Sequence, residues 1–350
     1  MKDTFVRLLE PAFAWLTRYM AHAGLIQFAY GFGGFIGFAR ETNWGSGVAA
    51  TDYVEGMSED LTLSLDRFAY KAIINSLSEP DDAVGLYRVE GGMEFACHPV
   101  AIGHFLKGVL HSYNPTAVVT GSLYNHVFVT TSGGADFDSQ VPIQPYTIEV
   151  FRDVTSSHRY TGCVVNELTF TMAANGPVMC SATFIGRGAD IIAKSTPTFP
   201  TSPLKPFTFD TISLAIAGSG TALIETLELT INNNLEGIGA LNLSRYVAKV
   251  RRNDHQMVNL SGTIDFTNVT EYQNFVNQTE QRMTISMTKA ASFQMVIDIP
   301  RMVYTAYPMG IPGKERILTS FEGKGFVHQG SLNAIKVTLT NQQSYYGPTP

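Results

Sequence analysis

The chain has 350 residues, 24 of them basic and 30 acidic, for a formal net charge of −6. Charged residues make up 15% of it and hydrophobic residues 45%, against a charged share of roughly 25% in ordinary soluble domains. These proportions exclude a disordered chain, which lacks apolar side chains to bury, and argue against a nucleic-acid grip, which needs clustered Lys and Arg.

No apolar run approaches the ~18 residues of a membrane span, so no membrane partner is expected. At the N-terminus Phe5, Leu8, Leu9, Ala12, Phe13, Leu16 and Met20 recur at three-to-four spacing, the period of one helix face. Asp3 directly after Lys2, and Glu10-Pro11 inside the apolar stretch, argue against a cleaved signal peptide. Residues 1–34 therefore read as a docking arm or as an upstream extension preceding Met20. The glycines from Gly24 to Gly37 do not form a dinucleotide fingerprint, because Ile36 stands where its third glycine belongs.

From Asp60 onward the dominant period is two. Leu61, Leu63 and Leu65 alternate with polar residues, as do Tyr146, Ile148 and Val150, then Leu168, Phe170 and Met172. Leu227, Leu229 and Ile231, Met283, Ile285 and Met287, and Ile335, Val337 and Leu339 repeat the pattern, which predicts half-buried strands. Helical spacing is confined to 99–111, with Val100, Phe105, Leu106, Val109 and Leu110, and to 269–279, with Tyr272, Phe275 and Val276 on one face. The fold class is mainly β with about one flanking helix per half. Two excursions, Asp66 to Glu90 and Asn232 to Asn259, are too long for tight hairpins.

Prolines at 197, 200, 203 and 206 mark a semi-rigid linker. The halves on either side of it match. Asp60–Leu65 (DLTLSL) answers to Thr226–Ile231 (TLELTI), Gly91–Phe95 (GGMEF) to Gly262–Phe266 (GTIDF), and Thr183–Gly188 (TFIGRG) to Ser320–Gly325 (SFEGKG). Together they indicate a duplicated unit of about 150 residues. The expected organisation is an arm at 1–34, a first domain at 35–195, a linker at 196–206, a second domain at 207–345 and a tail at 346–350.

Catalytic motifs are missing: no nucleophile elbow, P-loop, HExxH or EF-hand pattern occurs. His98, His104 and His111 lack the partners a metal needs and read as polar helix-face residues. Cys97 and His98 are neighbours whose side chains point apart on a strand, so the chain is not expected to be an enzyme and no cofactor or metal is expected. Cys97, Cys163 and Cys180 are too scattered for a disulfide framework; they read as plain thiols, with one Cys163–Cys180 bridge as the alternative. Sequons at Asn242, Asn259, Asn268 and Asn277 read as chance matches in Thr- and Ser-rich strands. Arg245, Lys249, Arg251 and Arg252 form the only basic cluster, a solvated loop or a contact for an acidic neighbour.

Glu41–Thr51 (ETNWGSGVAAT) leading into Ser58–Leu63 (SEDLTL), with Tyr146–Val150, His158–Thr169 and Ala182–Gly188, resembles the siphophage tail tube protein family. The likeness is clearest over 35–195 and continues more faintly through Ile299–Tyr304. It implies two tandem tail-tube-type β-sandwich domains whose inner strands pair across subunits into a barrel. A two-domain chain would close a pseudo-hexameric ring as a homotrimer, and rings would stack into the tube that viral DNA passes without being held. Tape measure, tail terminator and distal tail proteins are the implied further partners. The implied location is the virion, after synthesis in the bacterial cytoplasm. Thr62, Ser64, Glu228 and Thr230 are the lumen-facing candidates, and Tyr70, Lys71, Arg245, Arg251 and Arg252 the inter-ring or inter-subunit candidates, with the two long excursions expected to reach the adjacent ring. The competing expectation, favoured by the sequons and Thr-rich strands, is a secreted or surface β-sandwich binding module with an immunoglobulin-like second domain.

Overall fold

The computed structural model describes residues 29–346 apart from 71, 80, 118–122, 131–142, 200–204, 218, 221–223, 268, 291, 312 and 315. Most of the expected arm, Lys71, the middle of the linker and the last four residues thus lie outside the described residues. The chain is mainly β, as its period-two patterning predicts.

Two antiparallel sheets share one strand. The first runs in the order Asp52–Val54, Phe35–Arg40, Tyr146–Phe151, the leading half of Ser156–Ala173, and Gly188–Ala193. The second runs from Thr62–Ala69 through Asp82–Ala96 and Met179–Gly186 to the trailing half of Ser156–Ala173. It continues through Ile224–Asn232, Met257–Asp265 and Leu318–Gly325 to Phe293–Ala306. Phe293–Ala306 also carries Gln281–Ala290 on one edge and Lys336–Asn341 on the other. Pro300 falls at the irregularity where its partners change, a place that tolerates a residue with no N–H to donate.

Both halves use one register. Thr62 pairs with Glu90, Ser64 with Arg88 and Gly92 with Thr183. Glu228 pairs with Ser261, Thr230 with Asn259 and Thr263 with Ser320. The residues that the three sequence matches set against each other therefore have corresponding ladder neighbours. A seven-residue seam joins the halves, with Thr169 opposite Thr230 and Phe170 opposite Leu229.

The shared strand bends at Gly162, whose φ of +67° suits glycine. Glu41, 2% exposed, holds the bend. Its carboxylate accepts from Gly162 N at 2.8 Å, Thr147 Oγ1 at 2.7 Å and Gly45 N at 2.6 Å. Trp44 Nε1 donates to Gly162 O at 3.0 Å. Tyr146–Phe151 is accordingly buried on both faces rather than half-buried. Thr147 meets Glu41, and Glu149 accepts from Ser195 N at 3.0 Å and Ser195 Oγ at 2.6 Å.

The helix Ile102–Leu110 fills the core beneath the sheets. His111 is buried with it and His104 half-buried, which corrects their reading as polar helix-face residues: Phe38 and Tyr346 flank His104 at 4.9 Å each. The second helix, Thr270–Val276, buries no residue, and of its expected face only Phe275 packs on the core. Leu65, 49% exposed, also departs from the alternation, because Thr62–Ala69 and Asp82–Ala96 continue as a hairpin beyond the core. Asp66 to Glu90 is thus a long β-hairpin, with Ala69 paired to Asp82.

Replacing Glu41 with Ala leaves three donors around a buried bend without their acceptor, and each buried orphan costs roughly 1–3 kcal/mol. Glu41→Ala is expected to lower unfolding free energy by at least about 2 kcal/mol in urea titration. Burial lowers His104 to about 4 against the pull of Asp52, with Arg40 also lowering it. Burial, Arg252 and Lys107 lower His111 to about 3. Below pH 6.5 the unfolded chain takes up protons that these folded imidazoles refuse, so stability falls as pH drops from 6.5 toward 4 for His104 and toward 3 for His111. His104→Gln/His111→Gln should flatten that loss by up to about 1.4 kcal/mol per pH unit per histidine, read from urea midpoints between pH 7 and 4.5.

Candidate functional site

The trailing half of Ser156–Ala173 and its neighbours present opposite chemistry on their two faces. Leu168, Phe170, Leu227, Leu229, Ile231 and Leu260 are buried on one side. On the other, cross-strand pairing lines up polar residues in rows. One row runs Ser58, Glu94, Ser181, Thr169, Thr230, Asn259, Lys324. The next runs Thr171, Glu228, Ser261, Glu322. Both cross the seam between the halves without interruption.

The rows are tied sideways. Thr169 Oγ1 and Thr230 Oγ1 are 3.0 Å apart across the seam, and Thr226 Oγ1 and Thr263 Oγ1 2.7 Å apart. Asn232 Nδ2 donates to Glu167 Oε2 at 2.5 Å, and Ser58 Oγ to Glu94 Oε2 at 3.0 Å. Shallow depressions run along this face, lined by Thr171, Glu228, Ser261 and Glu322 and then by Thr230, Asn259 and Lys324. Carboxylates dominate it: Glu90, Glu94, Glu167, Glu228 and Glu322 stand against Arg88 and Lys324, and Arg88 already pairs with Glu90 at 2.6 Å. A polyanion finds few phosphate partners on such a surface.

All four residues expected on an inner wall lie here: Thr62 and Glu228 are exposed, Ser64 and Thr230 half-buried. Sequence reasoning missed most of the surface, including Thr169, Thr171, Ser261, Glu322 and Lys324. Their signal was present in the same alternation, but only the ladder register shows that they fall in line.

The expected contact residues are dispersed. Tyr70, 57% exposed, stands at the end of the long hairpin, whose tip also exposes Ile73 and Leu77 fully. The excursion from Asn232 to Asn259 holds a hairpin, Leu235–Ile238 with Lys249–Arg252, that folds back on its own chain. Tyr87 N donates to Arg245 O at 2.6 Å, and Val247 packs with Val164 and Leu235. Arg245 and Arg251 have exposed side chains, and Arg251 pairs opposite Glu236 in the ladder. Arg252 instead turns inward, donating to Asn233 Oδ1 at 3.1 Å, and burial lowers its pKa.

Cys97 is fully buried, while His98 turns to Glu55 at 3.3 Å. Burial pushes the Cys163 and Cys180 thiols up, the opposite of what a nucleophile needs. All three cysteines are free, so the alternative Cys163–Cys180 bridge is not formed. Among the described residues no three His, Cys, Asp or Glu side chains group to hold a metal, and no helix is long and apolar enough to cross a membrane.

No curated protein matches the chain. The sequence profile of a family described as phage tail tube protein matches residues 31–325, which takes in the first half, the seam, the polar rows and all of the second half up to Gly325. With most of its length covered by that match, the chain belongs to the phage tail tube protein family and is a structural component of the viral tail.

Proposed function

We propose that this chain assembles with copies of itself into rings that stack as the tail tube, with the polar face as the wall of the channel. The seam between the halves carries the reading. There, two sets of strands with one common register join edge to edge, Glu167–Ala173 against Thr226–Asn232, and the polar rows pass over the join unbroken. This supports a duplicated tube domain, with 35–195 and 207–345 as the two copies and 196–206 between them. A unit that already contains one such join needs three chains to make a pseudo-sixfold ring, and closure removes the open strand edges a lone chain presents.

The acidic, hydroxyl-rich face suits a conduit for DNA ejection, since like charge withholds the contacts that create phosphate affinity. Thr62, Ser64, Glu228 and Thr230 belong to that wall. The long hairpin with Tyr70, Lys71, Ile73 and Leu77 is the element for contact with the adjacent ring. Arg245 and Arg251, on the folded-back excursion, are contacts between subunits; Arg252 supports them from below. Tape measure, terminator and distal tail proteins complete the assembly, which forms in the bacterial cytoplasm, and the chain performs no catalysis.

Electron microscopy of purified protein is expected to show rings of three chains and tubes whose channel admits duplex DNA and is lined by the polar rows. A monomer that never polymerises, or a second half standing free outside the wall, would overturn the reading. Ile73→Asp/Leu77→Asp is expected to leave the fold and rings intact while tube length, measured on micrographs, collapses severalfold.

A further inference from the structure

Where the described chain begins, apolar side chains stand in solvent. Tyr30 is 53% exposed, Phe32 89%, Val154 47% and Ile191 71%. They come from three segments that the first sheet draws to one corner. Tyr30 N donates to Asp153 Oδ2 at 3.0 Å, and Phe32 stacks on Tyr30 at 5.2 Å. Val154 follows in the same turn, while Ala193 pairs with Ser156 and Ile191 with His158. On the other face of the same sheet end, Phe151 is stacked on Phe35 at 5.2 Å with Lys194 Nζ 4.2 Å from its ring centre.

The strand beside this patch is also open. Gly188–Ala193 has Ser156–Ala173 on one edge and no ladder partner on the other among the described residues. Its counterpart next to Phe293–Ala306 is Lys336–Asn341, whose outer edge is closed by Tyr124–Val129. A hairpin from the first half performs that closure, Ser112–Ala117 with Tyr124–Val129. In the second half only residues 277–280 separate the helix from the next strand, too few for a matching hairpin.

The chain supplies another cover. Residues 1–28 precede the corner, and the apolar positions Phe5, Leu8, Leu9, Ala12, Phe13 and Leu16 share one face at helical spacing, with Trp15 beside them. We propose that residues 5–20 dock on the patch of Tyr30, Phe32, Val154 and Ile191 in the same chain. The anchor of Tyr30 on Asp153 starts the arm at the patch, so residues 21–28 are a tether long enough to fold back and too short to favour a distant site. Docked there, the arm buries apolar surface that otherwise invites association and shields the neighbouring open edge from strand addition.

The chain has two tryptophans, Trp15 in the arm and Trp44, whose indole is held on Gly162 O. Subtracting the emission of a Trp15→Phe variant from that of the full chain isolates Trp15 and leaves Trp44 untouched. In dilute monomer, Trp15 is expected to emit at short wavelength and to resist iodide quenching severalfold relative to free tryptophan, independent of protein concentration. Ile191→Asp/Phe32→Asp should shift it to the solvent-exposed wavelength and restore quenching with far-UV circular dichroism unchanged. Phe32→Ser alone, outside any strand, gives the same direction if the double variant loses structure. Solvent-like Trp15 in the unaltered chain overturns the proposal, as does indifference to the patch substitutions. Shielding that appears only at concentrations where chains associate overturns it too, by placing the arm on another copy. None of these outcomes depends on tube formation.

Discussion

One strand, Ser156–Ala173, has to satisfy four partners in two sheets, and the molecule is organised around that demand. Its leading half pairs with Tyr146–Phe151 and Gly188–Ala193, its trailing half with Met179–Gly186 and Ile224–Asn232. Changing sheets requires a bend, and a bend in a buried strand frees backbone groups that must find other partners. Gly162 supplies the backbone conformation and Glu41 the acceptor, at the cost of a carboxylate held away from water by three donors. With the bend in place, apolar residues on the trailing half face the core and hydroxyls and carboxylates face outward in rows.

The alternation of apolar and polar residues made the strands legible and three-to-four spacing the two helices, and three short matches made the resemblance between the halves visible. Where the reading failed, a layer was added that periodicity does not encode. Thr147 and Glu149 look like solvent positions in Tyr146–Phe151, yet both are buried because Glu41 and Ser195, distant in sequence, come to cover them. His104 looks like a polar helix position, but the helix is covered there too, by Phe38 and Tyr346. Leu65 errs the other way: its alternation is sound, but the strand has left the core by then. Thr62 and Glu228 were recognisable as polar-face residues, whereas the rows joining them to Ser261 and Glu322 exist only through register, which no single strand carries.

The basic cluster shows the same limit. Four cations within eight positions suggest one patch, yet the short hairpin they occupy sends Arg251 and Arg252 to opposite sides. Alternation within a strand splits a cluster that is contiguous in sequence. The exposed half of that alternation forms a wide surface of small hydroxyls and carboxylates rather than one concentrated site.

The proline-spaced segment does not end where the second half begins. Phe207, fully buried, donates its N–H to Cys97 O at 3.0 Å and accepts from Val178 N at 2.8 Å. At the far end of the chain, Lys336–Asn341 closes on Tyr124–Val129, and Tyr346 Oη donates to Val100 O at 2.6 Å. The first half is therefore finished by residues from beyond the linker and from the far side of the second half. A nascent chain cannot complete its first unit and then add the second; contacts of such long sequence separation form late and slowly. The seam, the pairing of Lys336–Asn341 with Tyr124–Val129 and the buried Tyr346 all join segments far apart in sequence, so the two halves fold as one cooperative unit.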